Sequence, residues 1–379
     1  MRRPDRAILR LHQLRALRMG ALRMNGGAGV VAPRQLPLFD DSAPAVRWET
    51  LDERLRGTRF VGLPVRSVLN SPGATHMGFW SVNPYIGCEF GCTYCYARDT
   101  HRYAVERAHR DGRLDDASYR EFTGAEGWEA FEQRILVKRD AAAILARTLD
   151  PRRLAGSTLV IGTATDPYQP AERKFRVTRA ILETLTGFRG LSIGIITKSP
   201  LITRDVDLLA RLSRKHQVSV HLSIATADGR LARRLEPRSP VPSARLRALG
   251  RITGAGIRAG VLIAPIIPGI TDDAPGLSAL LAAAHAMGAA YAVGNALRLG
   301  PAARRRFLPY LDREFPLLAG RYRRHYATAD HASPAYQRAL AARLARLQRL
   351  HGFDVEAGMR EAREWRDGTG APEEQGALF

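Results

Sequence analysis

Cysteine is almost missing from this chain: three residues in 379. All three lie within eight positions, so no framework of disulfides can staple the fold, and the pattern fits a reducing compartment. Long apolar runs are missing too. None approaches the roughly 20 residues that span a bilayer, and there is no secretory apolar core segment. The expectation is a cytoplasmic protein with no membrane partner. Acidic side chains are under-supplied, with 37 Asp and Glu against 58 Lys and Arg and a net charge of +21. Such an excess attracts polyanions, nucleic acid first among them. The basic residues are nevertheless spread along the whole chain, as they also are where arginine is favoured everywhere. An apolar content of 45% is enough for one large α/β domain with extensions, or for two domains.

What is present is concentrated in Asn83–Arg98, NPYIGCEFGCTYCYAR. Cys88, Cys92 and Cys95 are spaced C-x3-C-x2-C. Three thiolates so close repel one another unless a positive centre neutralises them, and soft thiolates select iron–sulfur clusters, zinc or copper(I). Three ligands are one short of a closed tetrahedral set. Either a histidine, His101 or His109, completes a zinc knuckle, or one metal position stays free for chemistry. Gly87 and Gly91 let the backbone wrap tightly, and Tyr94 and Tyr96 flank the third cysteine.

Along the chain, residues 1–45 read as a basic, disordered extension: Ile8, Leu11, Leu14 and Leu17 mark one helix face, but Asn25–Gly29, NGGAG, breaks any helix. Arg59–Leu69 and Met77–Ile86 read as strands, the second delivering the cysteine loop, and Ala97–Asp111 as a helix. A polar, insertion-like segment then runs to Gln133. From Thr158 the pattern is regular. Apolar strands at Thr158–Thr163, Leu191–Thr197, Val218–Ile224, Val261–Ile267 and from Tyr291 alternate with helices. Such alternation means a parallel sheet covered by helices. The fold class expected is α/β, a partial (β/α)6 TIM-like barrel with a mostly parallel sheet and a helical C-terminal extension; a doubly wound sheet is the alternative. The division expected is barrel over 46–320, covering helix over 321–352 and polar tail over 353–379.

In either architecture chemistry belongs at the carboxyl ends of the strands, and polar residues gather there. Asp166 and Glu172 offer carboxylates, and Tyr168 and Gln169 offer hydrogen-bonding tips. Lys198 ends the next strand, where it can pair with a ligand carboxylate. Ser223 lies near the end of the one after, and Glu236-Pro237-Arg238 makes a rigid charged turn. Ala264–Gly269, APIIPG, is expected to break its strand, because proline donates nothing to the ladder.

These blocks in this order, with TDPYQPAE, IITKSPLITRDVDLL, LEPRSPVPSARL and APIIPGITDD over residues 81–311, resemble the spore photoproduct lyase-like branch of the radical SAM superfamily. The resemblance implies a [4Fe–4S] cluster on Cys88, Cys92 and Cys95. S-adenosylmethionine would chelate its fourth iron and be cleaved reductively to methionine and a 5′-deoxyadenosyl radical. It implies Tyr94 beside the adenine, Thr165 and Asp166 at the amino group, Lys198 at the carboxylate, and Ser223 at the carboxylate or ribose. Tyr168, Gln169, Glu172 and Glu236 are left as substrate contacts, and an electron donor of the flavodoxin or ferredoxin type as partner. Photoproduct lyases also use a cysteine outside the cluster as hydrogen donor, and here Thr163 stands in that place. A DNA- or RNA-directed enzyme is the alternative, and a non-enzymatic zinc-knuckle protein the second. Gln35, Leu36, Leu38 and Phe39, in QLPLF, resemble the peptide by which repair proteins dock on a sliding clamp.

Overall fold

A computed structural model describes residues 48–54, 57–75, 77–123 and 129–356. The N-terminal helix pattern, the QLPLF peptide and the tail beyond residue 356 lie outside these residues. Eleven strands are present among them: β1 Thr50–Glu53, β2 Arg59–Gly62, β3 Leu69–Asn70, β4 Trp80–Val82, β5 Tyr85–Ile86, β6 Arg134–Val137, β7 Thr158–Ile161, β8 Ser192–Thr197, β9 Gln217–Ser223, β10 Ala259–Ile266 and β11 Ala292–Ala296.

Six of them, β4, β7, β8, β9, β10 and β11, run parallel and in that spatial order, with β3 antiparallel on the outer edge of β4. This is the partial barrel read from the sequence. Among the described residues it does not close, since β3 and β11 are its free edges. The apolar runs explain the parallel arrangement. Leu159, Ile161, Ile193, Ile195, Val220, Leu222, Val261 and Ile263 are fully buried, because helices such as Val177–Leu185, Val206–Ser213, Pro242–Gly254 and Ala274–Ala286 cover the strands. Helix Pro334–Leu350 closes this core by packing Leu340, Leu344 and Leu347 on it.

A second sheet, β1-β2-β6-β5, lies beside the barrel. It corrects the strand reading at the motif. Met77–Ile86 is not one strand: the chain leaves the barrel after Val82 and pairs with β6 at Tyr85 and Ile86. Pro84 has no N–H for a ladder, and the Asn83 side chain instead accepts from Ala164 N at 2.8 Å and donates to Thr163 Oγ1 at 3.0 Å. Arg59–Leu69 likewise ends as a strand at Gly62. The expected break at APIIPG is smaller than the prolines suggest. β10 continues to Ile266, and the pairing with β11 shifts register between Ile263 and Ile266. The segment before Gln133 holds two helices, Asp116–Thr123 and Glu129–Gln133. Two more helices, Gly229–Leu235 and Pro316–Tyr326, add to those expected from periodicity, and the latter runs across residues 320 and 321. No described helix is long and apolar enough to cross a membrane.

Candidate active site

The cysteine loop leaves β5 and enters helix Arg98–Arg110, and it is fastened at nearly every residue. Gly87 and Gly91 take φ of 91° and 66°, the left-handed region that glycine enters without strain. The Gly87 carbonyl accepts from Thr165 Oγ1 at 2.6 Å and Gln169 Nε2 at 3.1 Å, and Gln169 Oε1 accepts from Glu89 N at 3.0 Å. Cys88 N donates to Phe131 O at 2.9 Å, and Thr93 N to Leu235 O at 3.0 Å. Arg98, fully buried, donates to Cys92 O at 2.8 Å and to Glu132 at 2.5 Å. Arg238 donates to Glu89 O at 2.6 Å and pairs with the other oxygen of Glu132. Gln169, expected at the substrate, thus bonds to the cysteine loop through both ends of its amide.

All three thiols are free, Cys88 and Cys92 buried and Cys95 half-buried. Burial pushes each thiol up. Cys92 reaches about 12, with Glu236 adding to the effect, and Asp166 and the neighbouring thiols add to it at Cys88. A group of thiolates there needs a positive centre. Among the described residues, no set of three Cys, His, Asp or Glu side chains is gathered for a single metal ion. A cluster differs in giving each thiolate its own iron. The histidines of the zinc-knuckle reading are engaged elsewhere: His101 with Arg134 O at 2.9 Å, His109 with Asp116 at 2.7 Å. Three neighbouring thiols with no fourth protein ligand among the described residues fit a cluster that leaves one iron to an exogenous chelator.

The strand ends converge beside this loop. Asp166, after β7, accepts from Thr197 Oγ1 at 2.6 Å, Tyr168 N at 2.9 Å and Lys198 N at 2.7 Å. Lys198, after β8, donates to Ser223 Oγ at 2.7 Å and lies 3.1 Å from Glu236 and 5.7 Å over the Tyr94 ring. Ser223, ending β9, donates to Ala264 O at 3.3 Å. Glu236 is 2% exposed. It accepts from Tyr94 OH and pairs with Arg245, which also donates to Ser223 O at 2.9 Å and Pro240 O at 2.8 Å. Cys92 Sγ lies 3.6 Å from Ser239 Oγ in the same turn.

Two more of the expected substrate contacts are engaged within the chain itself. Glu172 is fully buried and accepts from Tyr85 OH, Thr178 N, Arg179 N and Arg204. Tyr168 is fully buried beneath Arg204. Arg98 and Arg245 lie inside the quoted blocks NPYIGCEFGCTYCYAR and LEPRSPVPSARL but were given no role there, and Glu132 lies outside them; all three sit on helices, where the pattern does not show that a charge turns inward.

The sequence profile of the Radical SAM superfamily matches residues 82–280. An uncharacterised protein of Mycobacterium tuberculosis is 32% identical over 324 residues, 84% of this chain and 89% of its own. Another from Methanocaldococcus jannaschii is 29% identical over 201 residues, 53% of this chain and 64% of its own. Among solved structures, a spore photoproduct lyase complexed with dinucleoside spore photoproduct superposes with a TM-score of 0.51 at 14% identity, over 77% of this chain and 79% of that one. At that identity the likeness is one of fold.

Proposed function

The chain belongs to the radical SAM superfamily, and from that premise we propose that Cys88, Cys92 and Cys95 hold its [4Fe–4S] cluster while the ends of β7, β8 and β9 hold its S-adenosylmethionine. Bound together, these cofactors supply a 5′-deoxyadenosyl radical that removes hydrogen from a substrate. The observation that carries the reading is the convergence of three free thiols with Asp166, Lys198 and Ser223 on one rim of a parallel sheet.

Each side chain has a part that follows from its bonds. Lys198 is the cation best placed for the methionyl carboxylate, with Ser223 steadying its ammonium group. Asp166 Oδ2 accepts from Lys198 N. A carboxylate oxygen has room for a second bond, and the methionyl ammonium is the proposed donor, with Thr165 alongside. Tyr94 offers a ring face near Lys198 for the adenine. Apolar Ile267, Ile270 and Phe307, packed with the loop, keep water from a reactive carbon centre. Enzymes of this superfamily need a reductant, and a flavodoxin or ferredoxin type of donor is the proposed one.

Anaerobic reconstitution with iron and sulfide is expected to give a brown protein that, once reduced, converts S-adenosylmethionine to 5′-deoxyadenosine. Alanine at Cys88, Cys92 or Cys95 is expected to abolish both colour and product. A colourless zinc protein would end the reading.

A nucleic-acid substrate is the second reading, favoured by the net charge of +21. Repair that draws hydrogen from a cysteine outside the cluster is not part of it, since all three cysteines lie in the loop. Thr163 is held by Asn83 and Tyr96 instead, and a hydroxyl O–H bond is too strong to give hydrogen readily to a carbon radical.

A further inference from the structure

Helices Pro301–Glu314 and Pro316–Tyr326 form a hairpin carrying seven arginines and two carboxylates. Both carboxylates are taken, Asp312 by Arg323 and Glu314 by Arg234 and Arg313. Arg321 and Arg324 are exposed and have no ion-pair partner among the described residues. They fall four and seven positions after Leu317, on one stripe of the second helix. Leu317 is 94% exposed, the most exposed large apolar side chain among the described residues. A lone bare leucine is ordinary on a protein surface, but one leading a stripe of unpaired arginines is not.

The stripe also contains Gly320, exposed in the interior of the helix. Glycine there costs stability relative to alanine. Packing does not demand it, because an added Cβ would find only the Arg324 guanidinium, 3.6 Å away. Its absence of a side chain keeps the stripe flat between Leu317 and the arginines, as close approach of a backbone requires. The hairpin tip stands at the catalytic rim. Leu318 packs on Gly269 and joins Ile267 and Ile270, just past the end of β10, in one apolar cluster with the cysteine loop. Arg234, two residues before Glu236, lies over Phe315 at 4.6 Å.

We propose that the stripe Leu317, Gly320, Arg321 and Arg324 is a nucleic-acid docking surface, its arginines holding phosphates and Leu317 wedging against an unpaired base beside the active-site mouth. The proposal rests on the nucleic-acid reading of the substrate. Charge complementarity favours a phosphodiester backbone, and an apolar wedge beside phosphate-binding cations is how proteins open a base step. A membrane surface would require a broader apolar face than one leucine.

The test is fluorescence anisotropy on the full-length protein, with a labelled duplex of about 20 base pairs, or two helical turns, and the same duplex carrying an internal bubble. Binding across a salt series is expected to give a steep log–log slope, and Arg321→Glu with Arg324→Glu to flatten it by about two. Leu317→Ala is expected to keep the slope and lose roughly tenfold on the bubble duplex, the loss of one buried apolar contact. Gly320→Ala is expected to raise the melting temperature yet weaken binding, which separates docking from folding. Unchanged slopes in the charge variants overturn the proposal, and so does binding to phosphatidylserine vesicles with none to nucleic acid. Cofactor cleavage without substrate is expected to be normal in all these variants. If the wild type cleaves none, the catalytic reading fails while the binding result stands on its own.

Discussion

Glu236→Ala is expected to lower the stability of the cluster-free protein by about 3–5 kcal/mol, as removing one partner of a buried ion pair does. Glu236 is 2% exposed and Arg245 1%, so neither charge can turn to water. Without the carboxylate, buried Arg245 and half-buried Lys198 lose the anion they share, and the Tyr94 hydroxyl loses its acceptor. Arg245→Met is expected to cost less, because Lys198 still pairs with Glu236. Joining it to Glu236→Leu is expected to recover part of the loss, since apolar replacements of a buried pair are often tolerated. The same geometry gives a pH signature. Burial alone would raise the Glu236 carboxyl, but Lys198 and Arg245 outweigh it and bring it from 4.5 to about 2. A carboxylate held low contributes fully above 4.5, and its contribution is lost as pH falls towards 2. Melting temperatures measured from neutral pH into this acid range are therefore expected to converge between wild type and Glu236→Ala. Equal melting temperatures at neutral pH would mean that water, not Glu236, balances the two cations.

The barrel was legible because its strands are buried on both faces, so TLVI and SIGIIT read as short, mostly apolar, β-branched runs, and their length and flanking glycines, not periodicity, mark them as strands. The convergence of Asp166, Lys198 and Ser223 was legible for the same reason: once strands are parallel, the residues at their carboxyl ends must meet on one rim. Residues that act from elsewhere were not legible. Arg98 and Arg245 fall inside quoted motif blocks, but they lie on helices whose other arginines face solvent, and the helical pattern does not show that these two turn in to reach Cys92 O and Glu236. Gln169 and Glu172 sit three residues apart in the chain. One fastens the cysteine loop and the other is sealed beneath it, a distinction fixed by distant partners such as Gly87 and Arg204. The strand break at Asn83–Pro84 was signalled by the proline, but the apolar residues on either side masked a change of sheet.

Gly87→Ala is expected to prevent the cluster from loading while leaving the barrel folded. Two effects add. Alanine at a φ of 91° carries the left-handed penalty of about 1–2 kcal/mol. Its Cβ would also lie 2.9 Å from Phe131 O and 3.3 Å from Arg134 O, backbone atoms that cannot swing aside as a side chain can, and overpacking of this kind costs roughly 1–3 kcal/mol more. The cheapest relief is for the loop to back away. Cys88 is the next residue, and its N–H is bonded to that same Phe131 carbonyl, so a thiol moves with the loop. The Gly87 carbonyl moves too, and it anchors Thr165 and Gln169. Gly112→Ala is the matched control: its φ is 66°, but a Cβ there would meet nothing within 4 Å, leaving only the conformational penalty. Iron content and the visible absorption of the two variants after identical reconstitution make the comparison. Gly112→Ala is expected to load as wild type does and to melt slightly earlier, whereas Gly87→Ala is expected to stay nearly colourless. Normal iron uptake in Gly87→Ala would show that the thiols find the cluster without the tight approach of Gly87 to the backbone ahead of β6.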